Sequence, residues 1–273
     1  MSFNILNIGE HVLSDESVTD KELHTHAPYA NTTLNNSDEI RIPIQTQDIY
    51  TLPSESYLYI EGKLSDSENK RPGTLTLINN TITHLFDEIR YELGGSVIDR
   101  VRNPGIATTL KAFASFSPTD CLRFEGAGWR ADDTCDIMNS DGHFNACVPL
   151  KMLLGFCEDF KKIVVNMRQE LVLIRSASDI NAMHPGAQEK SPKIVLNKIL
   201  WNIPHVRVSD AKKLQIWNFL ESGRDLELAY RSWELMDYPL LQQTTKHTWN
   251  VKATNQLEKP RFIIFALQTD KKK

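Results

Sequence analysis

The sequence contains 273 residues and carries a net charge of −4, so it is long enough for one large β unit or two smaller domains and has no overall basic field to attract nucleic acid. No apolar run is long enough to span a bilayer, and the N-terminal residues MSFNILNIGEHVLSDES lack the basic and apolar regions of a secretory signal. Four cysteines stand at positions 121, 135, 147 and 157 without a CxxC pair, which indicates reduced thiols and an intracellular, non-secreted protein.

The N-terminal part of the chain is polar, which predicts a flexible arm over residues 1–37. Order is expected to begin just after it, where isoleucines alternate with polar residues over 40–44 at the two-residue period of a strand. The pattern predicts a second strand over 57–64. A further strand is predicted over 75–86.

Residues 86–100, FDEIRYELGGSVIDR, alternate charged and apolar side chains before a double glycine. The alternation places the apolar residues on one face of a strand and the charges on the other. Gly94 and Gly95 can adopt the positive φ that a tight hairpin turn requires. The segment is therefore predicted to be a hairpin with a solvated, charged outer face rather than a catalytic cluster of carboxylates.

The segment after the hairpin changes to the helical period, and residues 105–116 predict a short amphipathic helix. Residues 117–145 are polar and contain several glycines, which predicts a long exposed loop. Trp129 lies in this loop, whereas the other four tryptophans lie in segments with apolar periodicity. We therefore predict a contact loop that consists of Trp129, Arg130, Asp132 and Asp133.

The C-terminal half is also predicted to be built mainly from strands. Strands are expected over 148–156 and 193–208, and the second is followed by a helix that begins at Ser209 and ends at Gly223. Residues 259–270, KPRFIIFALQTD, are apolar at both parities, which predicts a strand buried on both faces. Many short strands and two short helices indicate an all-β sandwich or barrel.

The motifs for cofactor and metal binding lack their required context. Residues 126–131 match GxGxxA, but no helix-forming sequence follows them, so a dinucleotide site is not expected. A loose set of cysteines and a histidine matches no common zinc spacing. Its members are Cys121, Cys135, His143 and Cys147.

The histidines do not indicate a catalytic site either. His24 and His26 form an HxH pair, but no carboxylate follows nearby as a cupin metal site would require, so they are predicted to be two histidines on a flexible arm. His205 follows Pro204 at a strand end and stands alone, and no GxSxG elbow is present. We therefore expect a protein that is not an enzyme and holds no cofactor.

Four long strings of the sequence resemble double jelly-roll proteins found in insect and other animal genomes, which are similar to the major capsid proteins of Polinton (Maverick) elements and adintoviruses. The resemblance covers nearly the whole chain from about residue 21, and no short catalytic motif contributes to it. The strings are NNSDEIRIPIQTQDIYTLPSESYLYIEGKL (35–64), FDEIRYELGGSVIDRVRNPGI (86–106), ILWNIPHVRVSDAKKL (199–214) and YRSWELMDYPLLQQTTKHTWNVKATNQLEKPRFIIFALQTD (230–270).

The resemblance implies a jelly-roll β-sandwich with short helices, followed by the start of a second jelly roll. It divides the chain into an arm over 1–37, a first roll over 38–208 and a partial second roll over 209–273. Because proteins of this type usually continue well beyond the QTD strand, the second roll is expected to be truncated.

The function implied is that of a structural capsid protein that self-assembles through strand edges and loops. Its partners would be further copies of itself, as a homotrimer if the second roll is completed, and other capsid subunits. Neither a specific nucleic-acid site nor a membrane is expected, and the location would be the virion for a viral protein. The alternatives are a domesticated jelly-roll module that binds a glycan or a host protein, and a cupin-like metalloenzyme.

Overall fold

The structure of the chain is a computed structural model, which describes residues 17–29, 34–44, 50–65, 75–135, 137–184, 192–238, 241, 243–249 and 260–267. The strands within these ranges are β1 (Val18–His26), β2 (Glu39–Ile44), β3 (Tyr50–Thr51), β4 (Tyr57–Ser65), β5 (Phe86–Leu93), β6 (Ser96–Arg102), β7 (His143–Pro149), β8 (Gln169–Arg175) and β9 (Lys193–Val208). The helices are α1 (Thr81–His84), α2 (Pro104–Ser115), α3 (Pro118–Phe124), α4 (Leu150–Leu153), α5 (Gly155–Asp159) and α6 (Asp210–Glu221). Turns of 3-10 helix lie at Pro53–Glu55, Glu125–Ala127 and Ile180–Ala182.

The strands form two antiparallel sheets. One has the order β1-β9-β4-β7, with the short β3 also paired to β9, and the other has the order β2-β8-β5-β6. When β3 is set aside, the first strand pairs with the last, the second with the next to last, and so on inward to the β5–β6 hairpin. This nested pairing of eight strands in two sheets is the connectivity of a jelly roll. The all-β jelly-roll prediction is therefore confirmed.

The first strand of the roll lies inside the segment that was predicted to be a flexible arm. Residues of β1 pair with β9 from Val18 opposite Val208 to His26 opposite Trp201. Without β1 the long strand β9 would have a free edge along its second half, so backbone hydrogen bonding holds this polar segment in place even though it buries little apolar surface. Residues 1–16 and 30–33 of the predicted arm lie outside the described residues.

The core lies between the two sheets and is built from the alternate residues that the sequence pattern identified. Tyr91 of β5 and Trp201 of β9 are both 0% exposed and meet edge to face, with their ring centroids 6.1 Å apart. Phe156 of α5 stacks on Tyr91 at 5.1 Å. At about 25 cal/mol per Å² of buried apolar surface, each ring contributes roughly 4–6 kcal/mol of transfer free energy before entropy costs. The contact between Tyr91 and Trp201 therefore joins the two sheets, and Phe156 extends this aromatic packing to α5.

The hairpin predicted from FDEIRYELGGSVIDR is confirmed. Gly94 and Gly95 occupy the turn with φ of 57° and 85°, which is the left-handed region that glycine adopts without steric cost. Leu93 and Ser96 are the last paired residues before the turn. The turn type therefore follows from the double glycine, as the sequence indicated.

The charged outer face of the hairpin belongs to an ion-pair network across the sheet. Arg90 contacts Glu88 and Glu92 at 3.1 and 3.0 Å, and Arg41 of β2 contacts Glu170 of β8 at 3.2 Å. The side chains of Glu88 and Glu92 are only 14% and 12% exposed. The face is charged as predicted, but the arginines cover much of the carboxylate surface and leave it less solvated than expected.

Three predicted strands are wrong in part or in full. Residues 75–86 contain helix α1 before β5 begins at Phe86, and the strand expected over 148–156 ends at Pro149 and continues as the helices α4 and α5. Neither short segment has a clear two-residue alternation throughout, and for short buried runs a strand cannot be told from a helical turn by periodicity alone. Residues 260–267 are described without strand structure, and Ile263 is 85% exposed. A strand also needs a paired neighbour, and no described strand pairs with these residues.

A buried ion pair joins the two sheets near the end of β8. Arg175 and Asp179 are 0% and 4% exposed, and the Arg175 Nη2 donates to Asp179 Oδ1 at 2.9 Å. Arg175 also donates to the carbonyls of Leu85 and Ile194, and the other carboxylate oxygen of Asp179 accepts from the Ile194 backbone N–H at 3.0 Å. One side-chain pair therefore ties α1, β8 and the beginning of β9 together.

We expect Asp179→Ala to lower the free energy of unfolding by about 3–5 kcal/mol, because the substitution leaves the Arg175 guanidinium buried without its carboxylate. Urea denaturation followed by circular dichroism measures this change. Asp141→Ala, which removes an exposed carboxylate in a turn, is the matched control and should change stability by less than about 0.5 kcal/mol. A loss of less than about 1 kcal/mol in Asp179→Ala would show that the pair is not a structural tie.

Candidate assembly surface

The described residues contain neither a metal-binding cluster nor a membrane-spanning helix. Within those ranges, no group of three or more His, Cys, Asp and Glu side chains could hold a metal ion. None of the helices described there is long and apolar enough to cross a membrane.

The tryptophan of the predicted contact loop is buried, and the prediction that it makes surface contacts is wrong. Trp129 is 1% exposed, and its ring lies edge-on to Phe113 and Phe116 with centroid distances of 5.0 and 5.8 Å. Phe116 in turn packs on Phe124 at 4.8 Å. Trp129 therefore holds the segment after α2 against the core, and the alternative of a glycan-binding module loses the residue on which it depended.

The predicted loop over 117–145 contains ordered helical structure that the sequence did signal. Ser117 caps α3, since its side chain accepts a hydrogen bond from the Asp120 backbone N–H while the Asp120 carboxylate accepts from the Ser117 N–H. Pro118 occupies the first helical position. Serine, proline and then an acidic residue three positions after the cap form a helix-start pattern. Aromatic residues at 116, 124 and 129 then supply the apolar contacts that fold the segment back onto α2.

The polar members of the predicted contact loop remain at the surface. The Arg130 guanidinium contacts Asp132 at 3.3 Å, and the same carboxylate accepts hydrogen bonds from the Thr134 hydroxyl and backbone N–H at 2.7 and 3.2 Å. The hydrogen bond from the Thr134 hydroxyl is the main reason that the pKa of Asp132 lies below its usual value. Asp133 is exposed and adopts a φ of 59°. A contact role for Arg130, Asp132 and Asp133 stays a prediction.

Large apolar side chains are exposed in the region that follows the roll. Helix α6 has no buried residue, and its Leu214 and Trp217 are 62% and 54% exposed. Phe262, Phe265 and Leu267 are each 69% exposed, and Ile263 is 85% exposed. These exposed apolar residues make the region after the roll the candidate contact surface.

A connecting segment over residues 224–238, which lies between α6 and residues 260–267, docks against the roll. The Tyr230 ring lies edge-on to Phe156 at 5.4 Å, and its hydroxyl donates to the Ile98 carbonyl. Arg231 makes a two-point contact with Asp159 of α5, with Nε–Oδ2 and Nη2–Oδ1 distances of 2.8 and 2.6 Å. This hydrogen bonding holds the pKa of the Asp159 carboxyl below its usual value.

The close approach of the connecting segment depends on a glycine and on a buried lysine. A Cβ at Gly155 would overlap the backbone carbonyl of Arg231. Lys111 of α2 is 4% exposed, contacts Glu158 at 2.6 Å and lies 5.1 Å from the centroid of the Trp233 ring. The segment is therefore fixed on α5 by charge, by aromatic packing and by the absence of a side chain at position 155.

The comparisons with known proteins agree with this architecture. A model of the double jelly roll-like domain matches residues 75–273. The chain belongs to the double jelly roll-like domain family. No curated protein matches the sequence.

Solved structures similar to this member of the double jelly roll-like family are viral capsid proteins. The Faustovirus major capsid protein has a TM-score of 0.50 at 7% identity, with 75% of this chain and 57% of that chain covered. The VP54 protein of PBCV-1, as fitted into a reconstruction of the virophage Sputnik, has a TM-score of 0.47 at 11% identity, with coverages of 76% and 46%. The mavirus major capsid protein has a TM-score of 0.46 at 9% identity, with coverages of 74% and 49%. The chain thus spans about half the length of the solved structures that it matches.

We expect Trp129→Ala to lower the free energy of unfolding by about 3–5 kcal/mol, because it removes a buried ring from an aromatic cluster. Urea denaturation provides the measurement. Leu122→Ala, which truncates a side chain of α3 that is 70% exposed, should cost less than about 0.5 kcal/mol. Equal stabilities of the two variants would contradict the buried position of Trp129.

We expect Gly155→Ala to displace the connecting segment, because the added methyl group would occupy the position of the Arg231 carbonyl. Tryptic cleavage after Arg224 and Arg231 should then become about tenfold faster, which corresponds to a loss of about 1.4 kcal/mol of docking free energy. Gly126→Ala is the control, since a Cβ there meets nothing within 4 Å. If both variants are cleaved at the rate of the unmodified protein, the docking of this segment does not depend on Gly155.

Proposed function

We propose that this chain is a structural subunit of a viral-type capsid, which acts by packing against further copies of itself and against other capsid subunits. The observation that supports the proposal most directly is the nested pairing of eight strands in one complete roll. Viral capsid domains use this connectivity because a two-sheet roll leaves short edges and long loops available for contacts. The similarity in fold to the Faustovirus major capsid protein supports the same assignment.

The exposed apolar residues beyond the roll are the proposed contact surface, and a second copy of this chain is the proposed occupant. Full burial of a leucine, isoleucine or phenylalanine side chain stabilises an interface by about 1.5–3 kcal/mol, and several such residues lie in α6 and in residues 260–267. Association of three copies would give the capsomer-like homotrimer that the family resemblance implies. The virion is the proposed location for a viral protein, and an endogenised copy would retain the same contacts.

The ion-pair network on the β2-β8-β5-β6 sheet gives the opposite kind of surface. Its arginines and carboxylates satisfy one another, as at Arg90 with Glu88 and Glu92, so this face offers few unpaired charges to a partner. This face is proposed to stay in contact with solvent while the apolar residues direct assembly. No step in this proposal requires catalysis or a cofactor, so we propose that the protein works by packing alone.

The oligomeric state of the full chain tests the proposal. We expect light scattering coupled to size-exclusion chromatography to give a mass three times the 31.2 kDa of one chain at micromolar concentration, with larger assemblies at higher concentration. Ile263→Asp should weaken association about tenfold or more, because it introduces a charge at an apolar contact.

Leu122→Asp is the matched control for Ile263→Asp, since Leu122 is also an exposed apolar residue, at 70% exposure, but lies on α3 within the roll. The control should associate like the unmodified protein. A protein that remains monomeric at the highest accessible concentration would refute the capsid proposal. Equal effects of the two aspartates would show that the apolar C-terminal residues are not the contact surface.

A further inference from the structure

Three histidines that are far apart in the sequence lie together where the first strand pairs with the last. In the register of β1 and β9, His24 lies opposite Ile203 and His26 lies opposite Trp201. Residues that oppose one another in antiparallel strands share a face of the sheet. This face points toward the core, because Trp201 contacts Tyr91 of the other sheet.

The rings of His24, His26 and His205, called here the histidine cluster, are in direct contact. His24 and His205 stack with their centroids 4.1 Å apart and an interplanar angle of 10°. The Nε2 atoms of His26 and His205 lie 3.2 Å apart. A hydrogen bond between two such nitrogens requires one ring to donate and the other to accept, so at least one ring must be neutral.

The surroundings of the cluster offer little compensation for positive charge. Glu22 is the carboxylate at this place, with its Oε2 3.2 Å from His24 Nε2 and 3.7 Å from the Arg207 guanidinium. In the strand register, the β3 residue opposite His205 is the uncharged Thr51. Strand β2 of the opposite sheet directs isoleucines toward the core. They are Ile40, Ile42 and Ile44.

Glu22 also lies opposite His205 in the strand register, but its carboxylate pairs with His24 and Arg207. Among the described residues, no ion pair joins a carboxylate to His26 or to the 3% exposed His205. The hydrogen bond between the Nε2 atoms of His26 and His205 is lost when both rings are protonated, because neither nitrogen can then accept. We propose that the histidine cluster is a pH-sensitive device that keeps β1 paired to β9 when the rings are neutral and releases β1 when they become protonated.

The direction of the titration supports this proposal. Burial, followed by the charges of the neighbouring histidines, lowers the pKa of His205 to about 4, and burial also lowers the pKa of His26. In the open state both rings return toward the ordinary value of about 6.5. Opening therefore binds protons, and the paired state loses stability as the pH falls from about 6.5 toward 4.

The position of β1 in the fold makes local release feasible. It is the edge strand of its sheet, and most of its side chains are exposed, including Leu23 at 53%. The other strands of the roll keep their partners when β1 leaves. Release would uncover the edge of β9 and so create a strand edge that another chain could pair with.

Hydrogen exchange measured by mass spectrometry on the full chain tests the proposal, in buffer that contains a chelator so that protons rather than metal ions are varied. Peptides from β1 should lose protection between pH 7.5 and pH 5 relative to peptides from β4, with rates corrected for the intrinsic effect of pH. For His205 alone, a pKa that changes from 6.5 to about 4 implies an opening constant that rises by up to about thirtyfold at pH 5.

Two sets of variants decide the interpretation. His26→Gln and the double variant H26Q/H205Q should lose most of the acid-induced opening, because glutamine can hydrogen-bond but does not titrate. His84→Gln is the matched control: His84 is a second histidine whose pKa burial lowers to about 4, but it lies on α1, away from the cluster. This control should retain the response of β1.

The proposal is overturned if β1 and β4 lose protection together, since that would report global unfolding. It is also overturned if His84→Gln abolishes the response, or if H26Q behaves as the unmodified protein does. Should the double variant fail to fold, the single variant H26Q still decides the matter, because His26 is half-buried and tolerates glutamine at less cost than the fully buried His205 would.

Discussion

The two-layer core depends on the backbone pairing of the long strand β9. It pairs with β1 along one edge and with β4 and β3 along the other, and residues 201–206 are buried without interruption. Since Trp201 from this strand packs on Tyr91 of the opposite sheet, β9 fixes both the order of its own sheet and the contact between the layers. The buried Arg175 reaches the same strand through the carbonyl of Ile194.

The chain enters and leaves the roll at the same place. The backbone N–H of Ser209 donates to the carbonyl of Ser17 at 2.9 Å, so the beginning of β1 and the end of β9 are adjacent. Helix α6, with its exposed Leu214 and Trp217, starts directly after this point. A change in the pairing of β1 would therefore occur beside the residues that are proposed to contact other copies, which links the histidine cluster to assembly by proximity.

The charged residues and the exposed apolar residues lie in different parts of the protein. Arginines and carboxylates cover the outer face of one sheet and satisfy one another, whereas the exposed apolar residues are concentrated after the roll in α6 and in residues 260–267. The connecting segment lies between α6 and residues 260–267 and is fixed on α5 by Arg231 and Asp159. In the proposed assembly, the roll supports the apolar residues that follow it.

Local patterns in the sequence determined the elements whose signals are local. The alternation around Gly94 and Gly95, the strand over 193–208 and the helix that begins after Ser209 all appear as predicted, because strand period, turn residues and helix caps act over a few residues. The strand pattern indicated a β-sandwich or barrel, and the family resemblance implied the jelly roll. Tertiary structure alone decided the remainder, because pairing partners and burial depend on residues far apart in the chain. It placed β1 in the sheet and buried Trp129 under Phe113. It also left the apolar residues 260–267 without a described strand partner and brought His24, His26 and His205 into contact across 179 positions of sequence.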